Sequence, residues 1–265
     1  MSNSLVNGFS DIIAAPNLAT NGAFMINQRG NFSSATAVSV NDFVSDAWKC
    51  ITNNIDYIEA TNSSEGYLLF EGYGKKGQYV EIYNSDKAIY GLKFIGTGDQ
   101  DKSTITASVN AHNDGGVPVD VWVRSRAYTS SYTVLNENRP IVKSGERKVA
   151  SRVVKTITTT FNTAGYCGVK LVADGNFKVY ISNYQEIAGA YRNVPDFAPV
   201  PYADDFTRCE KYYQVGSASG ASYIPFRTKM SGTPTITLSS GSPSSIDVNG
   251  CVTSGTGVHT WSAEV

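Results

Sequence analysis

The chain has 265 residues, of which 22 are basic and 23 acidic, for a net charge of −1. So even a balance supplies no basic face for nucleic acid or anionic lipid. No apolar run approaches the ~18 residues that would mark a spanning helix. With 41% hydrophobic and 17% charged residues, the composition suits one large β domain or two modest ones.

The first stretch, "MSNSLVNGFSDIIAAPN", lacks the basic start and long apolar core of a secretory signal. Residues 1–16 are too short to fold alone and read as an attachment segment. From about residue 50 onward the hydrophobic period is two. In "QYVEIYNSDKAIYGLKFIG", two strands are joined by "NSDK", with Val80 and Ile82 inward on the first. "STITASVNAH" alternates Ile105, Ala107 and Val109, and "GGVPVDVWVRSRAY" alternates Val117, Val119, Val121 and Val123. "GYCGVKLVADGNFKVYISNYQEIAG" places a hairpin turn at "ADGN" between two apolar runs. Roughly eight strands by residue 188 predict an antiparallel two-sheet sandwich over 17–192, not a parallel α/β fold.

"NVPDFAPVPY" then carries three prolines, which suit a stiff connector and not a central strand. A helix is expected over "DDFTRCEKYYQV", capped by Asp204 or Asp205, with Phe206, Cys209 and Tyr213 on one face and Gly216 as its stop. Connector and helix occupy 193–216, and a small β domain of short strands occupies 217–265. So thin a core needs a neighbour, and Ile224, Phe226, Ile236 and Leu238 are the apolar candidates for one shared between subunits. Four cysteines (Cys50, Cys167, Cys209, Cys251) lie far apart without metal-ligand spacing and read as buried small hydrophobes.

Several motifs resemble chemistry by letter. "GYGKKG" fits G-x-G-x-x-G, but a strand follows where a dinucleotide site needs a helix. Glu59, Glu65, Glu71 and Glu81 lie near early strands without any motif that would pair them for hydrolysis. His112 and His259 have no nucleophile elbow near them and read as polar loop residues. The outward face of the strand after Gly116 is different: Asp120, Trp122, Arg124, Arg126 and Tyr128 share one side, and Tyr79, Glu81 and Tyr83 form a second strand of like character. Flat rings beside charged and amide groups suit a pyranose, and they suit a subunit interface equally well. Both readings stand at this point.

The opening "NLATNGAFMINQRG", followed by "SDAWK", resembles bacteriophage tail-fibre and receptor-binding proteins through Asn21, Gly22, Phe24, Gln28, Arg29, Gly30, Asp46 and Trp48. "CEKYYQ" after the proline run, Met230 with Pro234, and the closing "WSAEV" continue that resemblance in order. The middle of the chain is similar to the jelly-roll carbohydrate-binding modules of glycoside hydrolases, with Ser182 and Asn183 where such modules often carry an acidic calcium ligand. The resemblance implies a non-enzymatic virion protein on the phage tail or capsid surface, a homotrimer without cofactor; Ser182 and Asn183 assign no metal ligand and leave the calcium site of such modules open. It would bind a host-surface glycan and join other virion proteins through its N-terminal segment. A capsid-decorating or fibre-joining protein without a sugar site, and a polysaccharide depolymerase, are the alternatives.

Overall fold

The structure, a computed structural model, describes residues 17–84, 104–127, 140–155, 165–188, 191, 193–220, 222–254 and 256–263. The expected attachment segment and the strand after "NSDK" lie outside them. Twelve strands, not eight, precede the helix among the described residues. They are β1 (Thr36–Ala37), β2 (Phe43–Ser45), β3 (Trp48–Asn53), β4 (Tyr57–Ser63), β5 (Tyr67–Gly74), β6 (Tyr79–Asn84), β7 (Thr104–Gly116), β8 (Val119–Ala127), β9 (Ile141–Val142), β10 (Arg147–Lys155), β11 (Gly165–Ala173) and β12 (Gly175–Ala188). The surplus comes mainly from short edge pieces such as β1, β2 and β9, too brief to show a period of two.

These strands form an antiparallel jelly-roll sandwich of two six-stranded sheets. The first has the order β1-β4-β5-β12-β7-β10, the second β2-β3-β6-β11-β8-β9. Alternation puts Leu68, Phe70, Val109, Val179 and Ile181 on the inner face of the first sheet, each fully buried. Val80, Ile82, Val119, Val121 and Val169 face them from the second. Burying each such side chain contributes about 1.5–3 kcal/mol, which makes the strand register hard to slip by one residue. The "ADGN" turn falls where the sequence puts it, between β11 and β12.

Helix α1 (Tyr202–Glu210) is shorter than expected and starts earlier. Pro201 occupies the N-cap position, and its carbonyl accepts from the amides of Asp204 and Asp205. The run from Tyr213 is not helical: it is β13 (Tyr213–Ser219), as its Tyr and Val favour once a neighbouring strand is present. Gly216 is thus no helix stop. A Cβ there would lie 2.3 Å from the Trp261 ring, so the glycine makes room for the indole. The remaining strands are β14 (Ser222–Pro225), β15 (Thr235–Leu238), β16 (Pro243–Ser244), β17 (Gly250–Thr253) and β18 (Thr256–Ser262). They make two three-stranded sheets, β13-β18-β15 and β14-β17-β16, around a small core of Phe226, Met230, Cys251 and Trp261. His259 lies in β18 and not in a loop, fully buried, with neither ring nitrogen hydrogen-bonded among the described residues.

One polar cluster ties the start of the described chain to α1 and β13. Asn21 sits in the left-handed region (φ 51°), which Asn tolerates better than most residues. Its side-chain amide donates to the Ile26 carbonyl, Ser45 Oγ and the Asp46 carbonyl, and its oxygen accepts from the Ile26 amide. Its backbone amide donates to Asp205 Oδ1 at 2.8 Å, and its carbonyl accepts from the Trp48 indole at 3.0 Å. Gly22 packs so closely that a Cβ would sit 2.2 Å from the Tyr184 carbonyl. Arg29 pairs with buried Asp46 at 3.0 Å and lies over the Tyr213 ring at 3.8 Å. Burial pushes Asp46 up and Arg29 down, and each charge opposes the other's shift. Arg208 donates to the carbonyls of Asn17 and Leu18.

Removing Asn21 would strand several buried partners at once. Asn21→Ala is expected to cost about 3 kcal/mol or more, read as a fall in the urea midpoint at unchanged m-value.

All four cysteines are free and buried. Burial raises the Cys50 thiol to about 12 and lifts Cys209 well above its usual range. Since the thiolate is the nucleophile, native protein at pH 8 should resist iodoacetamide, and mass spectrometry should show all four thiols alkylated only after denaturation.

Candidate functional site

The sequence singles out the outer face of the second sheet. There β11 runs between β6 and β8, so the two candidate strands are not neighbours. The register aligns Tyr79, Val172 and Asp120 in one row, Glu81, Lys170 and Trp122 in the next, and Tyr83, Gly168 and Arg124 in a third. The strands therefore bring these candidates onto one face, with Lys170 added between them. The Lys170 ammonium lies 3.5 Å from the centre of the Tyr79 ring and 5.4 Å from that of Trp122. Glu81 and Tyr83 are each only 1% exposed, so both are covered although the register sets them on the outer face beside Trp122 and Arg124. The Glu81 carboxylate is ion-paired with the largely buried Arg124 guanidinium. Arg126 belongs to β8 opposite Tyr166, and Tyr128 lies outside the described residues. Of the interface candidates, Phe226 fills the C-terminal core, Ile224 and Ile236 pack against it, and Leu238 is half-buried opposite His259.

The outer face of the first sheet is the more open of the two. Side chains opposite its buried Leu68, Phe70, Val179 and Ile181 line up across the strands in rows set by the ladder. One row is Thr61, Leu69, Tyr180, His112 and Arg147. The next is Ser63, Tyr67, Ser182, Asn110 and Val149. Above these rows lies a concavity of about 730 Å³. Its floor is aromatic: Tyr67 and Tyr180 meet edge-on at 5.2 Å, and the His112 ring stacks on Tyr180 at 5.7 Å. Asn110, Ser182 and Arg147 flank those rings with amide, hydroxyl and guanidinium groups.

All three rings are half-buried. At one end the β4–β5 turn adds Glu65, and the β10 edge adds Lys148, which is paired with Glu146 at 2.8 Å. Such a concavity can take a ligand with a flat apolar face and hydroxyls around its rim. Among the described residues no group of three or more His, Cys, Asp or Glu could hold a metal ion.

Sequence reasoning passes over these residues for identifiable reasons. His112 reads as part of the turn "AHNDGG", whereas β7 continues through Gly116 and carries it across the sheet. The signal for Tyr67 was present as alternation in "YLLFEGYG", where Leu68 and Phe70 turn inward and Tyr67, Leu69, Glu71 and Tyr73 turn out. Only the strand order, which sets β12 between β5 and β7, joins the three rings.

No family model and no curated protein sequence matches the chain. Among solved structures, it is similar to an arabinose-bound α-L-arabinofuranosidase, MgGH51, at 16% identity and a TM-score of 0.40, over 74% of this chain and 29% of that one. It thus spans under a third of that enzyme. It is also similar to a CBM4 structure at 13% identity and a TM-score of 0.34, covering 54% of this chain and 95% of the other. The CBM22-2 xylan-binding domain from Paenibacillus barcinonensis Xyn10C aligns at 13% identity with a TM-score of 0.33, over 54% and 92% of the two chains. At such identities and scores these likenesses do not say what this chain binds.

The Glu81–Arg124 pair gives the second sheet its own test. Arg124→Ala leaves a carboxylate buried without its cation and is expected to cost about 3 kcal/mol, with Arg124→Ala/Glu81→Leu recovering most of it in thermal unfolding.

Proposed function

We propose that this chain is a non-catalytic saccharide-binding protein whose site is the aromatic concavity on the first sheet. The observation that carries this reading is the Tyr67–Tyr180–His112 floor flanked by Asn110, Ser182 and Arg147. A pyranose ring offers an apolar face of C–H groups that packs on such rings, and its hydroxyls bond amides and charged groups at their edges. Glu65 and Asp114, the carboxylates that line the concavity, are both solvent-exposed. A general acid for glycoside cleavage is made by burying a carboxyl group, so their setting favours binding over hydrolysis.

One shallow site of this kind binds in the range of about 1 mM, or about −4 kcal/mol. Useful attachment then needs several copies acting together, which raises affinity by ~100-fold or more without new contacts. The motifs shared with tail-fibre proteins fit this need, and the proposal extends to a trimeric phage attachment protein that grips a host-surface glycan. Light scattering on the eluting peak tests that extension: a trimer is expected, and a clean monomer would reduce the proposal to a single binding module.

The saccharide reading is tested by affinity electrophoresis through gels containing neutral and charged polysaccharides. At least one neutral polysaccharide should retard the native chain, and Tyr180→Ala should weaken that retardation by about tenfold or more, equivalent to about 1.4 kcal/mol. Its melting temperature should stay within a few degrees of the parent. A chain retarded by none of the gels would overturn the reading.

A further inference from the structure

The rows of the first sheet continue beyond the concavity. Past the Tyr180 row comes one with Glu59, Glu71 and Lys178, and past that one with Tyr57, Tyr73 and Asn176. Tyr57 and Tyr73 are direct cross-strand partners. They are 53% and 42% exposed. Single exposed aromatics are ordinary on a protein surface. Two opposite one another, on the same face as an aromatic-floored concavity, are less so.

Six residues separate Tyr67 from Tyr73 along β5, a span of ~20 Å at the rise of an extended strand. Between the two aromatic groups the surface is formed by Leu69 and by Glu71 paired with Lys178 at 3.1 Å. With Glu59 beside them, this bridge carries two carboxylates and one ammonium. A polyanionic chain would meet net repulsion there, whereas a neutral one would find hydrogen-bonding groups.

We infer that Tyr57 and Tyr73 form a second aromatic platform for the same ligand, a neutral polysaccharide chain lying along β4, β5 and β12 from Tyr67 and Tyr180 to the tyrosine pair. This rests on the saccharide reading given above and adds to it the length, direction and charge class of the chain. A short oligosaccharide fills the concavity alone. A longer one reaches both platforms and gains affinity from the second.

Isothermal titration with neutral β-linked gluco-, xylo- and manno-oligosaccharides of three and six residues tests this. For whichever series binds, the hexasaccharide should bind about tenfold or more tightly than the trisaccharide. In Tyr57→Ala/Tyr73→Ala that advantage should disappear while trisaccharide affinity is kept. Both side chains are exposed, so the variant should fold; unchanged amide hydrogen-exchange protection in β5 would establish that. Equal affinity for both lengths in the parent, an undiminished advantage in the variant, or an equal loss for both lengths would each overturn the inference. Tyr180→Ala separates the two claims: it should weaken both lengths. If it does so while the tyrosine pair has no effect on the length advantage, the second platform falls and the concavity stands. If no series binds the parent, both fall together.

Discussion

The arrangement depends on a buried polar lock rather than on the cores alone. Asn21 saturates its side-chain amide on the Ile26, Ser45 and Asp46 backbone and side-chain groups while its own backbone reaches Asp205 and Trp48. Desolvating two carboxylates and a guanidinium is expensive, and the cost is met only because each finds a partner of fitting geometry. Such a network does little for net stability compared with apolar packing. What it does is select one conformation, since any other leaves several buried groups unpaired. Phe24, Trp48 and Tyr184 pack around the lock, with ring centres 4.9 and 4.7 Å apart. Polar selection and apolar cohesion thus act on the same residues.

The lock also accounts for the sequence motifs that look least like chemistry. Asn21 with Gly22, Gln28 with Arg29, Asp46 with Trp48, and the Cys209–Tyr213 stretch are spread over nearly 200 residues, yet they meet in one place. Gln28 donates to the Tyr213 carbonyl, and Tyr213 gives its ring to Arg29. The one helix among the described residues is where the chain returns to the segment around Asn21, and Tyr213 just past it packs its ring against Arg29.

Much of the sandwich was legible from alternation, because Val119, Val121 and Val123, or Val80 and Ile82, fall inward wherever a strand has one buried face. The helix was legible in kind but not in extent. Tyr213 and Val215 favour a strand only once one lies beside them, and the choice is made by pairing with β18, which no local window contains. The binding face was the least legible. Alternation told which residues of β6 and β8 share a side, but not that β11 intervenes or that Glu81 is buried there in an ion pair with Arg124. Tyr67, His112 and Tyr180 lie on three strands distant in sequence, so only topology could assemble them.

The lock has a mechanical consequence. Asn17 and Leu18 are held by Arg208, Asn21 by Asp205, and Arg29 by Tyr213, so the chain's entry and its exit toward the C-terminal sheets are fastened to each other. A tug applied between those two ends is borne by this clasp together with the bonds of Asn17 and Leu18 to Tyr184 and Glu186 at the end of β12, so the strand that carries Tyr180 shares the load.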